Sequence, residues 1–218
     1  MSRYSLSAVG QDRPGIVAAV TGVLGDQGCN LQDSTMAILQ GQFAILLVVS
    51  APETCSAAIL DEALAPVAQR FDLVIAVRAL HEADAAGDGS ASRDTPATGG
   101  ASARRDTPAT GGGPAAGRAA RLQGSPSGAP PASWTIAVHG ADRPGIVHGV
   151  TAVLAEHGGS VVDLVTHLVG TDESPVYSLV IRAVVPRDVG AALADRVSAV
   201  AAELGVHCTM HPDDADLL

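Results

Sequence analysis

Residues 4–9, "YSLSAV", alternate polar and apolar with period two, and so do residues 134–139, "WTIAVH"; that is the pattern of a half-buried β-strand. After each, the period changes. Ile16, Val20, Val23 and Leu24 fall at i, i+4, i+7 and i+8, and Ile146, Val150, Val153 and Leu154 repeat the spacing, which predicts one apolar stripe on an α-helix. Gly28 and Gly158 stand where such helices end. Second strands follow at "LQDSTMAIL" and "VVDLVTHLV", then third strands at "FAILLVVS" and "VYSLVIRAV". Second helices are predicted over "PETCSAAILDEALAPVAQRF" and "PRDVGAALADRVSAVAAEL", each opening on a proline, with Pro66 expected to kink or shorten the first. "DLVIAVRAL" and "GVHCTMH" close the units as fourth strands. The order is βαββαβ, twice. With right-handed crossovers the fold class is α+β: two ferredoxin-like units, each a four-stranded antiparallel sheet with two helices on one face. The third strand of the first unit is apolar on both faces, so its outer face is expected to meet another layer or subunit.

The two units match closely. DRPGIV occurs at Asp12 and at Asp142, 130 positions apart. The offset grows to 134 after the second strand, where "GTDESP" replaces "QGQ". Between them, 39 of the 52 residues at 81–132 are Ala, Gly, Pro, Ser or Thr, too little apolar surface to offset the entropy of ordering. The expected organisation is a first domain at 1–80, a disordered linker at 81–132, a second domain at 133–212 and an acidic, frayed tail at 213–218. The domains are expected to pair within one chain, with a homodimer paired through the same edges as the competing arrangement.

Charge narrows the chemistry. The net charge is −10, and all 13 basic residues are arginine. Without lysine there is no phosphate-loop lysine and no Schiff base. The acidic balance argues against direct binding of nucleic acid. Cys29, Cys55 and Cys208 form no CxxC pair, so reduced, mostly buried thiols are expected. The N-terminus lacks the apolar run of a signal peptide, and the apolar run at 43–49 is too short to span a membrane; a cytoplasmic protein is the expectation. His207 and His211 in "HCTMH" share one face of a strand, with Cys208 on the other, and lack a third ligand. His148 and His157 read as surface variants on the helix, and His139 as a strand-end residue or a support for the neighbouring loop. No metal, cofactor or catalytic constellation is expected.

The repeated Asp-Arg-Pro-Gly lies at the turn from the first strand into the first helix. Asp12 and Asp142 can cap that helix, and Pro14 and Pro144 suit its first turn. Gly15 and Gly145 are poor helix formers. Either they let a group approach a helix N-terminus, which favours an anion, or they permit tight packing on the sheet. Arg13 and Arg143 either fork onto a carboxylate or lie solvated, the commoner state of arginine.

"DRPGIV…GVL…GCNLQDS" in a βαββαβ order resembles the ACT domain, a regulatory module that binds small ligands, typically amino acids. The resemblance covers both units and omits the segment between them. It implies an effector between paired domains, touching the loop into the first helix and the opening of the second strand. Those positions are Asp12, Arg13, Pro14, Gly15 and Ile16 with Cys29 and Asn30 in the first copy. In the second they are Asp142, Arg143, Pro144, Gly145 and Ile146 with Gly159 and Ser160. Asn30 can both donate and accept, whereas Ser160 is shorter, so the first copy is expected to dominate. The implied function is a non-enzymatic amino-acid sensor that modulates transcription or metabolism of the glycine-cleavage kind. It would act through a protein partner such as a DNA-binding regulator, with glycine a candidate ligand. A structural pairing module, or a regulatory subunit of a metabolic enzyme, is the alternative.

Overall fold

The computed structural model describes residues 1–80, 131–171 and 174–213. The expected linker, apart from residues 131 and 132, lies outside the described residues, as do residues 214–218 of the expected tail and residues 172–173 of the longer turn. The first unit runs β1 (Ser2–Gln11), α1 (Ile16–Asp26), β2 (Asn30–Leu39), β3 (Gln42–Ala51), α2 (Ala57–Phe71) and β4 (Leu73–Leu80). The second runs β5 (Ala132–Ala141), α3 (Ile146–Glu156), β6 (Ser160–Thr171), β7 (Ser174–Val185), a 3₁₀ turn at Arg187–Val189, α4 (Gly190–Leu204) and β8 (Val206–Pro212). Both units have the antiparallel βαββαβ topology read from the pattern.

The sheets are joined. Strand order is β4-β1-β3-β2-β6-β7-β5-β8, one eight-stranded sheet whose seam is an antiparallel pairing of β2 with β6. At the seam Thr35 opposes Val165. These positions are equivalent under the 130-residue offset, so a pseudo-two-fold axis passes between them. Ser34 opposes Thr166 there, and their hydroxyls hydrogen-bond at 2.8 Å inside the core. Each hydroxyl thereby finds the partner that a buried polar group requires. Helices α1 and α3 pack beside one another over the seam. His148 directs Nδ1 to the Ala18 carbonyl at 3.0 Å, and its ring lies where a Cβ on Gly22 would stand 2.9 Å from it. It is therefore an interhelical contact and not a surface variant. His157 turns back onto its own helix, at 2.8 Å from the Val153 carbonyl.

Leu6, Leu47, Leu60 and Leu64 fill the core of the first unit, and Ile136, Leu154, Leu179 and Ile181 that of the second. Both α1 and α3 end as expected. Gly28 and Gly158 adopt φ of 70° and 72°. Cys29 N–H then donates to the Leu24 carbonyl, and Gly159 N–H to that of Leu154, closing a Schellman motif in each copy. Pro52 and Pro186 depart from expectation. They precede their helices by a turn: Ser56 caps α2, and the 3₁₀ turn intervenes before α4. Pro66 lies inside α2 without shortening it, since α2 and α4 each have 15 residues. Asp213, at the head of the expected frayed tail, is tied to β5 by two hydrogen bonds, from its N–H to the Ser133 carbonyl and from the Thr135 hydroxyl to its carboxylate.

Candidate functional site

The DRPG turn does not cap its helix in the expected way. The N-cap positions are Gly15 and Gly145, at φ of 88° and 90°, and neither helix start receives a side-chain hydrogen bond. Asp12 and Asp142 are therefore not caps, and Pro14 and Pro144 precede the helix instead of occupying its first turn. The glycines are explained by backbone conformation. A Cβ at Gly145 would meet nothing within 4 Å, and one at Gly15 only Ala155 at 3.9 Å; tight packing on the sheet is not the reason. What remains at each helix start is a set of first-turn N–H groups that no side chain satisfies.

The positions named from the sequence do come together, but across the seam. The first copy's Asp12, Arg13, Gly15 and Ile16 line a crevice with Gly159 and Ser160 of the second. The second copy's Arg143, Gly145 and Ile146 line another with Cys29 and Asn30 of the first. Both are shallow and open to solvent, with enclosed room of only about 10 and 20 Å³. Each loop thus faces the other copy's strand opening, whereas the sequence grouped each with its own. Pro14 and Pro144 are exposed and line neither crevice.

The crevices differ in their polar groups. Asn30 Nδ2 donates to Asp142 Oδ2 at 2.7 Å, while Asp142 Oδ1 is buried without a partner. Asp12 has Ser160 across its crevice. Burial pushes the Asp12 carboxyl above its ordinary range, because removal from water disfavours the anion. Arg143 is exposed, as the solvated reading has it, and its guanidinium also donates to the Leu204 carbonyl at 3.2 Å, at the C-terminus of α4, where a cation suits the helix dipole. Arg13 is exposed at the lip of the first crevice. Burial, reinforced by the neighbouring Cys55, pushes the Cys29 thiol up to about 12, so it is neutral and unreactive. Cys29, Cys55 and Cys208 are all free thiols.

Tyr177 is a lining residue that sequence reasoning missed. It occupies in the second copy the place of Phe43, and each closes the floor of one crevice. Burial raises the Tyr177 phenol, while the neighbouring Thr166 hydroxyl pulls the other way. The only signal was a phenol at an apolar position of the repeat.

On β8, His207 and His211 lie exposed on one face and Cys208 faces the other way. No group of three metal-ligating side chains exists among the described residues. No helix among them is long and apolar enough to cross a membrane.

The UPF0237 protein of Methanocaldococcus jannaschii is 41% identical over 49 residues, 22% of this chain and 54% of that one. The glycine cleavage system transcriptional repressor of Escherichia coli is 40% identical over 45 residues, 21% of this chain and 24% of the repressor. The chain spans between half and three fifths of the UPF0237 relatives it matches. Among solved structures, an unknown protein from Galdieria sulphuraria aligns over 97% of this chain and 98% of its own, at 21% identity and a TM-score of 0.38. An ACT domain protein from Streptococcus pneumoniae aligns over 36% and 89%, at 27% identity and a TM-score of 0.34. Residues 5–78 and 135–211 each match the ACT domain family, and the chain belongs to that family.

Proposed function

We propose that the protein is a non-enzymatic sensor of a small amino acid that signals through a protein partner inside the cell. The observation that carries this is the pair of crevices, each built from the DRPG loop of one domain and the second-strand opening of the other. At each, uncapped N–H groups at a helix start suit a carboxylate. Nearby stands a half-buried carboxylate, Asp12, or the unpartnered oxygen of Asp142, and either would accept an ammonium group. A zwitterion of glycine's size meets both demands. The name of the Escherichia coli relative suggests transcription of glycine-metabolising functions as the output, with a DNA-binding protein as partner.

The bond between Asn30 and Asp142 favours a second reading, since it joins the two domains directly, side chain to side chain. On that reading the loops serve pairing alone. A calorimetric and thermal-shift panel of amino acids, glycine included, separates the two. A true ligand at a hundredfold excess over its Kd stabilises by about 2.7 kcal/mol, and Asp12→Asn weakens or abolishes that shift if the first crevice dominates. If no amino acid shifts the melting temperature, the chain is a pairing module.

A further inference from the structure

The four helices cover the face of the sheet that carries Leu6, Leu47, Leu164 and Ile181. The opposite face has no layer among the described residues, and its central row carries no charge. Following the register across all eight strands, that row reads Ala76, Ser7, Leu46, Thr35, then Val165, Val180, Ala137, Thr209. Leu46 is 48% exposed and Val180 41%, and they are equivalent across the pseudo-two-fold axis. A solvated sheet face ordinarily alternates in polar residues along its strands. Here one row, in which Ser7, Thr35 and Thr209 are the polar members, is uncharged from edge to edge and spans both domains.

We propose that this face is the interface with a second copy of the chain, the two eight-stranded sheets packing face to face. Three observations select a second copy as the occupant. First, size: eight strands at about 4.8 Å make a face roughly 38 Å wide. With about 20 Å of strand length covered, two copies would bury about 1,500 Å², the size of a standard stable interface. Second, symmetry: the row is pseudo-symmetric about the seam, so an identical row laid on it is uncharged at every point, as an isologous contact needs. Third, charge: the rows beside it place Asp33 next to His167, at 3.4 Å, and Asp163 next to Arg182, also at 3.4 Å. A two-fold axis between the sheets can run along the strands or across them. In the first case His167 faces the partner subunit's Asp33, and in the second the partner subunit's Asp163. In both, Asp33 and Asp163 meet no carboxylate, so neither arrangement sets like charges together at the seam, where complementarity decides the register.

Light scattering on the full chain tests this. The expected mass is twice the chain's 21.8 kDa. Leu46→Arg and Val180→Arg, each placing a charge in the row and its mirror in the partner, should return it to a single-chain mass with an unchanged far-ultraviolet spectrum. If either arginine variant loses its melting transition, Leu46→Ser and Val180→Ser replace them, with at least a tenfold weaker self-association expected. A single-chain mass for the wild type up to about 100 μM, a hundredfold above a micromolar Kd, overturns the proposal. So does a dimer unaffected by the folded variants, which would be held through the β4 or β8 edge instead.

Discussion

At the scale of single residues, the DRPG motif shows how one glycine can be explained by backbone alone. Gly15 has φ 88° and ψ −3°, and its Schellman counterpart Gly28 has φ 70°. Both are left-handed conformations that a Cβ disfavours. Helix propensity by itself would make Gly15→Ala harmless or stabilising; the observed φ reverses the sign. Gly15→Ala and Gly145→Ala should each cost on the order of 1 kcal/mol or more, a drop in midpoint seen by urea titration with unchanged slope. Space is not the obstacle, since a Cβ at Gly145 would have no neighbour within 4 Å. Equal or higher stability in Gly145→Ala would show that the loop relaxes to a right-handed conformation without penalty, and the motif's glycine would then need another explanation.

At the scale of elements, the hydrophobic pattern was enough for eight strands and four helices because nearly all of them have one buried and one exposed face, a period that residues display directly, and β3, apolar on both faces, is marked by its length and β-branched content instead. The Schellman ends were legible for the same reason: a glycine at a fixed place after an apolar stripe. The seam was not. Pairing of β2 with β6 depends on backbone edges, which every strand has, and the sequence holds only indirect marks of it, such as Ser34 and Thr166 on otherwise apolar inner positions. The site followed suit. All its residue positions except the prolines lie at or beside the crevices, but which loop faces which strand is a property of the seam. The cross-domain bond from Asn30 to Asp142 puts this to the test. Asn30→Ala leaves both carboxylate oxygens of Asp142 short of a protein donor, which should cost about 1–3 kcal/mol. Asp142→Ala and the double variant complete the cycle. A coupling energy near zero would show that the two side chains do not meet in solution and that the domains pair otherwise.

At the scale of the whole molecule, charge decides what the protein can touch without help. Residues 1–80 hold four arginines against seven acids, and residues 133–218 hold four against eleven. Three of those arginines are already engaged. Arg143 is committed to the end of α4, Arg182 to Asp163, and Arg70 lies over the ring of Phe71. Gripping a duplex takes a basic surface that neutralises several phosphates at once, and the signature of such binding is a steep loss of affinity with salt, about 0.9 in the logarithmic slope per phosphate. The net charge of −10 repels the polyanion at a distance. An electrophoretic mobility assay with the isolated protein should therefore show no salt-sensitive complex, with or without amino acid, at concentrations where its own assembly is complete. Any effect on transcription should then appear only when a separate DNA-binding protein is present, and the shifted species should contain both. A tight complex formed by this chain alone, weakening tenfold or more as salt is raised, would place a nucleic-acid surface on it and remove the need for the partner.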